Sequence, residues 1–239
     1  VAKELIENAI DAGASRIFVT AEQGGIQSLD VLDNGCGMDS EDAVNPFQRH
    51  ATSKISGQND LWQIHTLGFR GEALPSIASV SKVVLTTNDG HGGTRIRINY
   101  GEFEEDKKSA ACNQGTEVNV SGLFYQTPAR LKHLRSAAYE NSLIQDLISR
   151  FALSHPEIAF VYVSDQREAF RTSGQGDLLE VLYQVYGREA AESAVKADFS
   201  DTDYKVSGYL IKPNVTRSSR SSMHVFLNGR MVHTWRLYQ

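Results

Sequence analysis

Along residues 1–12 the apolar positions Val1, Leu5, Ile6 and Ala9 recur at helical spacing, and Gly13 follows as a stop. The period then changes from 3.6 to two. RIFVTAE (16–22) and SLDVLDNG (28–35) alternate apolar and polar residues around a QGG turn, which predicts an antiparallel hairpin ending at Asp33. No period is sustained from 49 to 74. There RHATSKISGQNDLWQIHTLGFRGEAL mixes Ser, Thr, Gly and Asn with charges, the composition of a long functional loop. Three strand-like runs follow, SKVVLTT (81–87), TRIRINY (94–100) and TEVNVSG (116–122). Leu143, Ile144, Leu147, Ile148 and Phe151 then predict a second helix over 140–153, with Pro156 beyond its end. After two more strands, AFVYVSD and EAFRTS, the glycine-rich SGQGD (173–177) separates two structured parts and sets an expected domain boundary near 175. Beyond it a helix, LLEVLYQVYG, and strands around YKVSGYLIK and HVFLNGRMV, the last turning on Asn228 and Gly229, make a partial second domain too small for a large core of its own. Internal repeats and low-complexity tracts are absent from the sequence.

Composition narrows the picture. The 239 residues, 41% of them hydrophobic, suffice for one large domain or two smaller ones. A formal charge of −5 gives no global positive field, so any nucleic-acid contact must be local. Two clusters offer one, Arg130, Lys132, His133 and Arg135 in ARLKHLRS and Arg217 with Arg220 in TRSSR; a solvated surface explains the first equally well and the second slightly better. Cys36 and Cys112 form no CxxC or metal-ligand pattern, which fits a reducing compartment, and Cys36 reads as a small filler. His224 and His233 lack ligand partners at metal spacing. No run of eighteen apolar residues and no charged-then-apolar leader occur, so a cytoplasmic protein without membrane contact is expected. The helical pattern already running at Val1, and the abrupt end at Gln239, suggest a segment cut at both edges.

Chemistry concentrates in three stretches. In KELIENAIDAG (3–13), Glu4 and Asn8 lie roughly 40° apart around a helix axis and project from one face, with Asp11 near it. A lone E-x-x-x-N is ordinarily a solvated polar face. LDNGCGM (32–38) ends a strand on an aspartate and then supplies Gly35 and Gly37, whose backbones permit close approach of a ligand. A buried Asp33 carboxylate, a pure acceptor, would take a hydrogen bond from an exocyclic amine and so tell adenine from guanine; a surface turn is the plainer reading of D-N-G. In TLGFRGEALPSIASV (66–80), Gly68 and Gly71 bracket Phe69 and Arg70 ahead of a helical start, and the free amides of Glu72, Ala73 and Leu74 could meet a phosphate. No G-x-x-x-x-G-K-[ST] occurs, which excludes a P-loop nucleotidase at the level of motif.

Taken together these residues resemble the MutL mismatch-repair family, within the GHKL group of ATPases that also holds gyrase B, the large heat-shock chaperone and histidine kinases. The resemblance runs through E-L-x-E-N-x-x-D-A-G at 4–13, D-N-G-x-G-M at 33–38, R-H-A-T-S-K at 49–54, L-G-F-R-G-E-A-L at 67–74, G-T-x-V at 115–118 and L-F-Y-x-T-P-A-R at 123–130. The first two and G-T-x-V belong to the wider group, whereas G-F-R-G-E-A-L and the A-T-S-K loop are specific to MutL-like members.

The resemblance implies an α+β fold: a GHKL-type (Bergerat) α/β sandwich on a mixed sheet over 1–174, with helices on one face, then part of a second, ribosomal-S5-like transducer domain over 175–239. Its implied ligands are ATP and Mg²⁺. Glu4 resembles the general base that activates water, and Asn8 the Mg²⁺ ligand, a neutral oxygen where another carboxylate would raise the base's pKa. Glu7, on another part of the helix, is expected to be dispensable. Asp33 resembles the adenine reader, with Thr116 behind the base and Gly35, Gly37 and Met38 beside it. Thr52, Ser53 and Lys54, with Gly68, Phe69, Arg70, Gly71, Glu72, Ala73 and Leu74, resemble the lid over the triphosphate. Lys54 and Arg70 would add positive charge there, if they are not simply solvated.

The implied function is that of an ATP-dependent switch in DNA mismatch repair. ATP orders the loop around 49–74 and draws two protomers into a homodimer, which couples a MutS-type mismatch-recognition protein to a downstream repair nuclease or helicase; hydrolysis resets it. The family's leading segment, its late second-domain lysine and its C-terminal dimerisation domain find no match here, so weak activity in isolation is expected. Two rivals stand beside this reading. A type II topoisomerase subunit would share Glu4, Asn8, Asp33 and Thr116 but not G-F-R-G-E-A-L, and a nucleotide-binding module would lack turnover.

Overall fold

A computed structural model describes residues 1–44, 47, 73–215 and 222–232 of the chain. The expected loop over 49–74 lies outside these up to Glu72.

The opening helix, α1 (Ala2–Asp11), buries Ala2, Leu5, Ile6 and Ala9 on one stripe, as its period predicts. It closes in a Schellman arrangement: Gly13 N–H donates to the Ile10 carbonyl at 2.9 Å and Ala14 N–H to the Ala9 carbonyl at 3.1 Å. The hairpin forms as β1 (Arg16–Glu22) and β2 (Ser28–Asp33), antiparallel, with Ile17 opposite Asp33.

After α2 (Ala73–Ala78) come β3 (Lys82–Asn88), β4 (Gly93–Asn99), β5 (Glu102–Ser109) and β6 (Gly115–Ser121). Short α3 (Pro128–Leu131) leads to α4 (Ala137–Ser154), and the strands β7 (Ala159–Ser164) and β8 (Arg167–Arg171) complete one eight-stranded sheet in the order β5-β4-β3-β6-β2-β1-β7-β8. Every neighbouring pair is antiparallel except β1 and β7, which makes the sheet mixed.

The period-2 pattern sends Ile17, Val19 and Ala21 of β1, Leu29, Val31 and Asp33 of β2, Val83, Leu85 and Thr87 of β3, and Val118 and Val120 of β6 to one buried face. There α1 and α4 pack, with Ile6, Ile148 and Ala152 fully buried. Each fully buried Ile contributes about 1.5–3 kcal/mol of apolar burial. The opposite face carries Thr20, Asp30, Leu32, Lys82, Arg95, Arg97 and Glu117, none of them buried.

Later come α5 (Leu178–Tyr186), α6 (Arg188–Glu192), the antiparallel pair β9 (Ala194–Ser200) and β10 (Lys205–Ile211), and the two-residue strands β11 (Phe226–Leu227) and β12 (Arg230–Met231). The last pair turns on Asn228 (φ 50°) and Gly229 (φ 76°), the left-handed pair that a two-residue hairpin loop requires. Val181 and Leu182 of α5 join the core of the large sheet.

The strands β5 and β9 and the short helices α3 and α6 are not set out by the pattern, and α4 starts earlier than it predicts. β5, EFEEDKKS, is an edge strand whose charges show no apolar alternation. β9, AVKADFS, is largely exposed. Helix α4 begins at Ala137 rather than near 140, because Ser136 caps it: its Oγ accepts from Tyr139 N–H at 3.3 Å, while Glu140 accepts from Arg135 N–H at 3.1 Å.

Candidate functional site

Strand register builds the site. β2 ends, β6 begins and β3 ends at the same edge of the sheet, so Asp33 stands opposite Thr116 and Thr116 opposite Thr87, all on the helix-facing side. Asp33 is 9% exposed. Its burial pushes the carboxyl above the usual aspartate range, while backbone N–H groups of Gly35 and Thr116 pull it back down. The Gly35 N–H lies 2.8 Å from Asp33 Oδ1. The aspartate is therefore a desolvated acceptor with backbone donors on the carboxylate.

The loop after β2 is clamped to α1, which is how the first two motifs meet. Cys36 N–H donates to the Ala12 carbonyl at the helix C-terminus at 2.9 Å. A Cβ on Gly35 would sit 2.7 Å from Ala12 Cβ and 2.8 Å from its carbonyl oxygen, so no larger residue fits between Asp33 and the helix. Gly37 has φ 69°, and a Cβ there would overlap the Asn88 carbonyl. Met38 follows, its N–H donating to Thr87 Oγ1 at 2.9 Å and its side chain packed on the core.

On α1, Glu4, Asn8 and Asp11 are all half-buried on the face that the helical spacing gives them. Glu7, expected to be dispensable, is buried, 8% exposed, with Lys3 Nζ at 3.5 Å. Burial raises its carboxyl above the usual glutamate range, Lys3 opposes the rise and Glu4 adds to it. Glu7 is thus part of the packed structure and not a free surface group.

Two residues that spacing alone does not single out complete the arrangement. Asn34 Oδ1 accepts from Ser15 N–H (3.0 Å) and Arg16 N–H (2.8 Å), and its Nδ2 donates to Ser15 Oγ at 2.9 Å, which ties the end of β2 to the start of β1. Thr87, fully buried, contacts Thr116 Oγ1 at 3.0 Å and the Gly115 carbonyl at 3.1 Å besides Met38. Sequence carries no signal for Thr87 beyond its place in a strand; only the register of β3 on β6 brings it to Thr116.

Of the expected phosphate-side residues, Ala73 and Leu74 open α2, and Leu74 packs against the core. Thr52, Ser53, Lys54, Gly68, Phe69, Arg70, Gly71 and Glu72 lie outside the described residues, as do Arg217, Arg220 and His233. Around α3, Arg130, Lys132, His133 and Arg135 are all exposed, Arg130 over the Phe124 ring at 5.9 Å and Arg135 over Tyr139 at 4.4 Å. Among the described residues no group of three or more His, Cys, Asp and Glu is placed to hold a metal, and no helix is long and apolar enough to cross a membrane.

Comparison with known proteins gives the family and the fold. Residues 1–121 match the family model for histidine kinase-, DNA gyrase B- and HSP90-like ATPases, and residues 182–239 match that for the C-terminal domain of DNA mismatch repair protein. The chain is 46% identical over 237 residues to the DNA mismatch repair protein MutL of Shouchella clausii and 47% identical over 240 residues to that of an Exiguobacterium strain. These alignments take in 99% and 100% of the chain but 36% and 40% of those relatives, so the chain spans well under half of their length. Among solved structures, the Aquifex aeolicus MutL ATPase domain complexed with ADP superposes with a TM-score of 0.72 at 25% identity, over 98% of this chain and 82% of that one. The 43K ATPase domain of Thermus thermophilus gyrase B, at 19% identity and a TM-score of 0.55 over 86% of this chain and 54% of that one, shares the fold alone. The chain therefore belongs to the histidine kinase-, gyrase B- and HSP90-like ATPase family, in its MutL mismatch-repair branch.

Proposed function

We propose that this chain binds ATP between α1 and the ends of β2, β6 and β3, hydrolyses it with Mg²⁺, and so works as a switch in DNA mismatch repair. The observation that carries the reading is the clamp of the Asp33 loop onto the end of α1, which sets a buried amine acceptor beside the helix that bears Glu4 and Asn8.

The donor set suits the ligands. Asn8 offers a neutral amide oxygen on a half-buried face, and a small hard cation bound largely by phosphates and water needs only one or two such protein oxygens. Held there by Asn8, Mg²⁺ would offset the charge of the phosphates. Asp33 accepts the hydrogen of adenine's exocyclic amine and refuses guanine's carbonyl. Glu4, one helical turn from Asn8, takes the proton of a water positioned for in-line attack on the terminal phosphate. Thr52, Ser53, Lys54 and the 68–74 run close over the phosphates, and Lys54 and Arg70 add positive charge there.

On the same reading the chain divides near 175 into the ATPase domain, 1–174, and a transducer-type α/β region of ribosomal-S5-like kind, 175–239. ATP draws two copies into a homodimer in the cytoplasm. The dimer relays the signal of a MutS-type mismatch-recognition protein to a repair nuclease or helicase, and the basic patch around α3 touches DNA phosphates.

Turnover separates this from a binding module. Glu4→Ala is expected to bind ATP as wild type does and to lose hydrolysis by roughly 10²-fold or more, the scale of a missing general base. Equal turnover in the two proteins removes Glu4 from that role.

A further inference from the structure

The hydroxyl of Thr87 has one proton to give and two lone pairs to accept with. It makes three contacts in a fully buried position: Met38 N–H at 2.9 Å, the Gly115 carbonyl at 3.1 Å and Thr116 Oγ1 at 3.0 Å. Two of these have a fixed direction. An amide N–H only donates, so Thr87 accepts from Met38; a carbonyl only accepts, so Thr87 gives its single proton to Gly115. The third contact is then determined, because Thr116 must donate to Thr87. The reverse arrangement, with Thr87 donating to Thr116, leaves two oxygens facing each other at 3.1 Å with no proton between them and forfeits a buried hydrogen bond.

Thr116 has consequently spent its only proton away from the ligand side. What remains is a pair of lone pairs beside Asp33, its cross-strand neighbour. We propose that Thr87 is a specificity-determining positioning residue: by taking the Thr116 proton it makes Thr116 an obligate acceptor, so that Asp33 and Thr116 together present an all-acceptor edge to the base. Such an edge takes the six-amine of a purine directly on Asp33, and a water that gives one proton to Thr116 and the other to the adjacent ring nitrogen, itself an acceptor in adenine, completes the match. It rejects a six-carbonyl, which needs a donor, and a threonine free to rotate would supply that donor. The same three contacts hold the Met38 loop, the start of β6 and the end of β3 in one geometry, so the edge is also fixed in place.

The inference rests on the reading of Asp33 and Thr116 as the base pocket. The test is the preference for ATP over ITP, nucleotides that differ only in the amine or carbonyl at position six and the proton on the adjacent ring nitrogen. It is read as the ratio of dissociation constants by calorimetric titration of wild type, Thr87→Val, Thr87→Ser and Thr116→Val. Thr87→Val keeps the shape and removes the hydroxyl; we expect its preference for ATP to fall about tenfold, through tighter ITP as well as weaker ATP binding, while Thr87→Ser stays near wild type. A general loosening of the fold would weaken both nucleotides alike and leave the ratio unchanged. Should Thr87→Val not fold, Thr87→Cys, of similar size with a weak donor and acceptor, reads the same ratio. If Thr116→Val lowers the preference and Thr87→Val leaves it intact, the role of Thr87 is overturned and the pocket stands. If Thr116→Val changes neither affinity nor preference, the pocket reading at Thr116 fails, and this inference with it.

Discussion

Asp30 and Asp33 lie three residues apart on β2, and the strand's period of two sends them to opposite faces of the sheet. Burial raises both carboxyls, and the partners differ. Asp33, on the helix side, receives backbone N–H groups from Gly35 and Thr116 and is provided for as a carboxylate. Asp30, on the other side, faces Glu117 from the neighbouring strand, two positions off along the register, and its buried Oδ1 has no hydrogen-bond partner among the described residues. Desolvation first, and the like charge and shared proton of Glu117 next, push it up to about 6. The two aspartates of one strand therefore differ in what opposes their desolvation: backbone N–H groups of Gly35 and Thr116 limit the rise at Asp33, whereas Glu117 adds to it at Asp30, which holds its proton to about 6.

The largest expected effect breaks the first half of that contrast. Asp33→Asn keeps the size but replaces an all-acceptor carboxylate by a group with donors, and a hydrogen bond to a charged acceptor is worth about 1.5–3 kcal/mol. ATP affinity should fall roughly 10- to 100-fold in a titration of the folded protein. Unchanged affinity removes Asp33 from the base pocket.

The second half of the contrast is a matter of stability. The unfolded chain releases the Asp30 proton near the ordinary 3.8, whereas the fold holds it until about 6. A raised folded-state pKa means that the site's contribution is fully present below about 4 and is lost as pH rises through about 6. Asp30→Asn mimics the protonated form at every pH and offers Glu117 a donor. Its melting temperature should exceed that of wild type by a few degrees at pH 7.5, on the scale of about 2–4 °C per kcal/mol relieved, and the gap should close by pH 5. A gap that widens on acidification contradicts the pairing with Glu117.

How far the sequence alone reaches follows from the same residues. Period-2 alternation is enough to place Asp30 and Asp33 on opposite faces, and 3.6 periodicity is enough for α1, since both are local properties. Glu4, Asn8 and Asp33 are each ordinary alone, on a polar helix face or at a turn, and stand out only through the run of motifs that resembles the MutL family. Strand β5 escapes because the sequence EFEEDKKS, with one apolar residue among its charges, has no alternation to read. Thr87, Glu117 and the true setting of Glu7 escape for another reason. Each acquires its role from a non-local neighbour: Thr116 across β6, Asp30 on the adjoining strand, and the packing that buries Glu7 beside Lys3. Register and burial are tertiary facts, and no spacing within one segment encodes them.

Glu7 supplies the smallest test, because it carries the comparison of buried carboxylates onto the helix. Glu4 and Glu7 are three residues apart on α1, as Asp30 and Asp33 are on β2, but a helix brings such positions near one face where a strand separates them. Their difference must come from surroundings. Glu4 is half-buried on the face it shares with Asn8, whereas Glu7 is buried with Lys3 as its one named counter-charge, and Lys3 is largely exposed. An exposed lysine returns little, about 0–1 kcal/mol, against the desolvation of the carboxylate. Glu7→Gln keeps the volume and removes both charge and penalty, so the two losses nearly cancel. Hydrolysis should stay within about twofold of wild type and the melting temperature within about 2 °C, with no loss of ATP affinity. Hydrolysis as depressed as in Glu4→Ala would show that the two glutamates act as one unit, and burial alone would then not distinguish Glu4, the proposed base, from its neighbour.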